Sequence, residues 1–84
     1  MKGQNVFIRT VTMFFTGRVE RVTRNWIVLS SAAWIASTGR FADAVRTGSL
    51  DEIEPYPDNV TVRVARGGII DVFDWKHPLP RVQK

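Results

Sequence analysis

Apolar and β-branched residues crowd the first third of the chain. Residues 6–15 carry Val6, Phe7, Ile8, Val11, Phe14 and Phe15 with two threonines among them, a composition that predicts an extended strand. Gly17 follows as the natural place for a bend or bulge. In residues 18–24, Val19, Arg21 and Thr23 alternate with Arg18, Glu20, Val22 and Arg24, the period of two expected of a second strand. Arg24-Asn25 reads as a turn, and Trp26-Ile27-Val28-Leu29 as a short, largely buried third strand.

The pattern changes at Ser30. Ser30 or Ser31 is a suitable N-cap for a helix through Ala32, Ala33, Trp34, Ile35 and Ala36, with Gly39 placed to end it. A second short helix is predicted over 40–46, because Phe41, Ala44 and Val45 fall on one face at helical spacing and Gly48 closes it. Residues 50–59 hold four acids and two prolines, so they read as an ordered loop and not as a central strand. Strands resume over 60–64, Arg66-Gly67-Gly68 is a turn, and 69–73 is the last strand. Residues 78–84 read as a mobile basic tail. The predicted fold is therefore α+β and β-rich: a small five-stranded barrel with a two-helix insertion, since short bent strands that close on themselves leave no exposed edge. One domain spans 1–84, with a β block at 6–29, a helical insertion and acidic loop at 31–58, and a second β block at 60–75.

Composition narrows the function classes. A chain of 84 residues without cysteine has no disulfide or thiolate-metal staple, so its stability must come from a well-packed core or from self-association. Three Trp, five Phe and one Tyr are a heavy load for this length, which places some rings at an interface. The apolar stretch at 6–15 is broken by Arg9, Thr10 and Thr12, is too short to cross a bilayer, and carries no signal-cleavage pattern. The expectation is a cytoplasmic protein of a bacterium or a phage-infected cell, with no membrane partner.

The net charge of +4 is unevenly laid out. Residues 1–24 have a net charge of +4, residues 25–58 of −3 and residues 59–84 of +3, so the acidic middle of one copy can dock on the basic surface of another. Arginines outnumber lysines nine to three, and arginine suits bidentate phosphate or carboxylate contacts. Arg9, Arg18, Arg21, Arg24, Arg63 and Arg66 fall on predicted strands or their turns, with Trp26, Phe14 and Trp75 interleaved. Cations for phosphate and flat rings for bases are what a nucleic-acid or nucleotide site requires. Trp34, Phe41 and Trp75, with the acids Asp51, Glu52 and Glu54, are the candidate protein-interface residues.

Other chemistry has less to stand on. Gly39-Arg40 at a helix start offers backbone N–H groups to a phosphate, but one Gly and one Arg more simply break a helix. Asp71, Asp74 and His77 are spaced by three, which on a strand points alternate side chains to opposite faces, so no metal site is expected. One histidine, no cysteine and no nucleophile-elbow motif leave no catalytic residues to nominate and no cofactor to expect.

Two stretches resemble the Sm-like (Hfq-type) family of small β-barrels. The run from Gly17 through Arg18, Val19, Glu20, Arg21 and Val22 to Trp26-Ile27-Val28-Leu29 is similar to the first motif of that family, a bent-strand glycine followed by spaced apolar residues, a turn and an apolar strand. Val64-Ala65-Arg66-Gly67-Gly68-Ile69-Ile70-Asp71-Val72 is similar to the second, an apolar residue, Arg-Gly and an apolar strand. Thr23 stands where the family has an Asp, Ser30-Ser31 replace its base-contacting Asn, and the usual N-terminal helix is missing. The resemblance implies that the five-stranded barrel is Sm-like or SH3-like, with ring-like assembly and, at Arg66 alone, a candidate RNA contact. The whole chain also resembles small uncharacterised bacteriophage and bacterial proteins through the run 33–41 and Trp75-Lys76-His77-Pro78-Leu79-Pro80, which implies an accessory role. Together these readings predict a non-enzymatic homo-oligomer that binds RNA, DNA or a nucleotide. The alternative is an accessory protein that meets a host protein, as an antagonist of host defence or as part of a virion.

Overall fold

The chain, seen in a computed structural model that describes residues 1–84, folds into a strand-rich antiparallel sheet with one α-helix. The strands are β1 (Asn5–Thr10), β2 (Phe14–Val22), β3 (Trp26–Ser37), β4 (Glu52–Pro55), β5 (Val62–Ala65) and β6 (Ile69–Asp74), and the helix is α1 (Phe41–Thr47). The order across the sheet is β4-β3-β2-β1-β6, and β5 pairs with the N-terminal half of β3. β5 runs into β6 through a three-residue 3-10 turn, Arg66–Gly68.

Alternation along the strands gives the sheet two apolar faces. Val6 and Ile8 of β1, Phe15 and Val19 of β2, Ile27, Leu29 and Ala32 of β3 and Val64 of β5 form one buried cluster. Ile69 and Val72 of β6 pack against it, so strands from both ends of the chain share this inner core. Phe7, Ala33, Ile35 and Ile53 point the other way and are covered by Ala44 of α1, Leu50 and Trp75. Phe7 is the hub of this second cluster, stacked on Phe73 at 5.1 Å and in ring contact with Trp75, Phe14 and Phe41. Helix α1 and residues after β6 therefore roof one part of the outer face.

Six strands and one helix replace the predicted five strands and two helices. The first predicted helix is the C-terminal half of β3, which pairs with β2 through Phe14–Ile35 and Thr16–Ala33 and with β4 through Ile35–Ile53. Its exposed positions, Trp34 and Ala36, are as apolar as the buried Ala33 and Ile35, so period-two alternation is hidden and its alanines read as helix formers; the tertiary pairing overrides that propensity. Residues 6–15 divide into two strands at a tight turn, where the Thr10 hydroxyl donates to the Met13 carbonyl and accepts from the Met13 N–H. Part of the predicted acidic loop is edge strand β4, with Pro55 at its end where a missing N–H is tolerated. Residues 78–84, expected to be a mobile tail, lie against β4: Ile53 and Lys84 exchange two backbone hydrogen bonds, and Arg81 donates to the carbonyls of Ala32 and Tyr56.

The second helix forms over Phe41–Thr47 with Phe41 and Ala44 packed inward, while Val45, expected on the same face, is exposed. It ends at Gly48, whose φ of 81° lies in the left-handed region and whose N–H returns to the Ala44 carbonyl. A Cβ there would sit 2.7 Å from the His77 ring, so both backbone and packing demand glycine.

Candidate nucleic-acid interface

Strand register brings five of the six predicted arginines to one region. Arg21 of β2 pairs with Val28 of β3, and Val28 pairs with Arg63 of β5, so the three side chains form a row on one face. Ile27 and Leu29 belong to the inner core, so this row lies on the outer face, beyond the part roofed by α1. Val28 is nevertheless only 3% exposed. Its cross-strand neighbours on both sides are arginines.

Trp26 lies two residues back on the same face, at 41% exposure, opposite Ala65. Beside it, at the β2–β3 turn, Arg66 donates from Nη1 to the Thr23 carbonyl at 2.7 Å, and its backbone N–H bonds the Asn25 carbonyl. The turn itself is held by Thr23, whose hydroxyl accepts the Trp26 N–H. The Arg66 side chain is thus fixed on the turn that carries Arg24. Arg18, opposite Ser30, sits 3.6 Å from Glu20, and Glu20 also accepts from the Ser30 hydroxyl. Arg21, Arg24 and Arg63 are exposed and make neither an ion pair nor a side-chain hydrogen bond. Free guanidinium groups beside an exposed indole can meet phosphate oxygens and stack on a base.

Arg9 is elsewhere. It lies on β1 with its guanidinium 4.6 Å above the Phe41 ring and holds Asp71 of β6 through a two-nitrogen ion pair. The hydrogen bond to Arg9 keeps the Asp71 carboxyl below its ordinary range, and the same bond raises Arg9 above its own. Arg9 pins α1 to the sheet and is not a free cation.

The predicted interface residues divide as well. Trp75 is buried in the second cluster, its indole N–H donating to the Pro78 carbonyl, so it is core and not surface. Phe41 is half-buried against Phe7 and Phe73. Trp34 is 38% exposed, and its neighbours across the ladder are Phe15 of β2 and Glu54 of β4. Glu52 and Glu54 are exposed on β4, and Asp51 is exposed just before it.

Asp71 is committed to Arg9 and the His77 Nε2–H to the Val45 carbonyl, and no three potential ligands converge on a metal position. An open cleft of about 460 Å³ lies between the end of α1 and residues 77–84. Its two most capable side chains, His77 and Arg81, already serve backbone carbonyls. No helix is long and apolar enough to cross a membrane.

Val28 and the Thr23 carbonyl were not legible as parts of this surface. Their roles depend on β3–β5 pairing between residues some 35 positions apart, which no local pattern encodes. Comparison with known protein families, curated proteins and solved structures finds no match to this chain.

Proposed function

We propose that this chain is a non-enzymatic binding protein whose outer β2–β3–β5 face takes the phosphate backbone of a single-stranded nucleic acid, with Trp26 as a stacking platform. The observation that carries this reading is the row Arg21–Val28–Arg63, two uncompensated arginines set on either side of a covered valine, with Trp26, Arg24 and Arg66 at its end. An open basic sheet face with one ring at its rim follows a strand of phosphates better than it encloses a free nucleotide. The non-enzymatic part is supported by the engagement of the single histidine with Val45 and of Asp71 with Arg9. The strand order β6-β1-β2-β3-β5, joined at its ends through Arg66–Gly68, supports a sheet coiled toward a small barrel of the SH3-like or Sm-like kind. The setting proposed is the cytoplasm of a bacterium or an infected cell.

The test is titration of a labelled single-stranded oligonucleotide. With four or five phosphate contacts, affinity should fall on the order of 100-fold between about 50 and 200 mM salt. Replacing Arg21 and Arg63 together by Ala should weaken binding at least about tenfold and flatten the salt slope by about 1.4. Absence of binding at about 50 mM salt, where the phosphate contribution is strongest, overturns the reading.

A further inference from the structure

The sheet presents a second cross-strand row on its other face. Phe15 of β2, Trp34 of β3 and Glu54 of β4 are direct ladder neighbours, and Glu52 lies two residues from Glu54 on the same strand. Phe15 and Ala32 belong to the inner core, so Trp34 stands on the inner-core side of the sheet at its open margin. Glu52 carries no ion pair, and Glu54 meets only the neutral amide of Gln83 at 3.3 Å. Each face of the sheet thus has one exposed tryptophan beside uncompensated charges, and the signs are opposite: acids with Trp34, arginines with Trp26.

We infer that the Trp34–Glu54 face of one copy docks on the arginine face of a second copy, Glu52 and Glu54 meeting Arg21 and Arg63. The two patches lie on opposite sides of the sheet, so the contact is heterologous and leaves a free patch at each end. Such contacts propagate into a chain or close into a ring. Carboxylates on β4 pair with guanidinium groups that have no partner of their own. The contact uses the arginine face described above but does not depend on nucleic acid; where both exist, they compete for that face.

The experiment is a charge-swap pairing read as mass in solution. The wild-type chain should exceed its 9.5 kDa monomer at low salt and approach it at high salt. Two variants, E52R/E54R and R21E/R63E, each destroy one patch and make both patches of like sign, so each alone should run as a monomer. Mixed in equal amounts they restore both complementary contacts, the swapped one and the native one, and the mass should rise to at least twice that of the monomer. All four positions are exposed, and circular dichroism checks that each variant is folded. Should a double variant unfold, the single swaps E54R and R63E carry the same test.

If the mixture stays monomeric, or the separate variants keep the wild-type mass, the inference is overturned. Added oligonucleotide separates this from the functional reading. Dissociation of the wild-type assembly by single-stranded DNA supports the shared face. Swap pairing in a chain that binds no oligonucleotide leaves this inference standing and removes the nucleic-acid proposal.

Discussion

Trp26 and Trp34 stand eight residues apart on β3 yet project from opposite faces of the sheet. In a regular strand an even spacing puts two side chains on the same face. The phase is broken between Ser30 and Ala33, where β3 spends two residues against the single Gly17 of β2. Ser31 sits at the break with a φ of 48°, the one non-glycine residue with positive φ in the chain. The bulge reverses the alternation, so the same strand offers a basic face before it and an acidic margin after it. Gly17 makes room for this bend: a Cβ there would lie 3.0 Å from the Leu29 Cβ and 3.2 Å from the Ser30 carbonyl oxygen.

Ser31 is the strained element of that device, so its replacements should divide by backbone preference. Ser31→Gly removes the left-handed penalty and should raise stability by about 0.5–1 kcal/mol. For a domain of this size that is roughly 2–8 °C in Tm. Ser31→Val, β-branched at positive φ, should cost about 1–2 kcal/mol and shift the Trp34 fluorescence as the bulge relaxes. Thermal unfolding of the two variants checks the pair; equal Tm values would show that the bulge is not held at Ser31.

The parts of this fold that sequence pattern reveals are those with local causes. The glycine bend at Gly17, the turn at Arg24-Asn25, the helix closed by Gly48 and the last two strands all rest on a residue's own backbone preference or on alternation over a few positions. What stayed hidden depends on pairing. Ala32 and Ala33 look helical until β2 and β4 are placed on either side of them, and Glu52 and Glu54 look like loop acids until β3 gives them a ladder. The arginines show the same division. Arg21, Arg24, Arg63 and Arg66 were visible as cations on strands and turns, but only the register separates them from Arg9, which β6 engages through Asp71.

Thr16 offers a test of how completely the second cluster is apolar. It lies in a cross-strand row with Phe7 and Ala33, is fully buried, and its hydroxyl has no hydrogen-bond partner. A buried donor left unpaired costs about 1–3 kcal/mol, while a methyl of the same size next to the Phe7 ring carries no such penalty. Thr16→Val should therefore stabilise the domain by about 1 kcal/mol. Chemical denaturation at unchanged m-value reads this directly; a loss of 1 kcal/mol or more would show that the hydroxyl does find a partner.

Acid should loosen the roof before it dissolves the sheet. Asp71 is the group whose titration differs most clearly between folded and unfolded chain, its folded pKa lying below the ordinary value because Arg9 donates to the carboxylate. The unfolded state then binds the proton more readily than the native state. The Arg9–Asp71 contribution is fully present above the ordinary Asp pKa of about 3.9, and it is lost as pH falls from there through the lower folded value. The pair is partly solvated at both partners, so screening by water and salt keeps its contribution modest. Its consequence is local, because Arg9 also lies over Phe41, the first residue of α1. Between neutrality and about pH 5 stability should be insensitive to this pair, and below about pH 4 it should decline. In Asp71→Asn the pair is absent at every pH, so the variant starts less stable at pH 7 and its acid decline is shallower, the two curves converging at low pH. Denaturant midpoints measured from pH 7 down to about pH 2 test the sign, since the reverse order of slopes would place the acid-sensitive contact at another carboxylate.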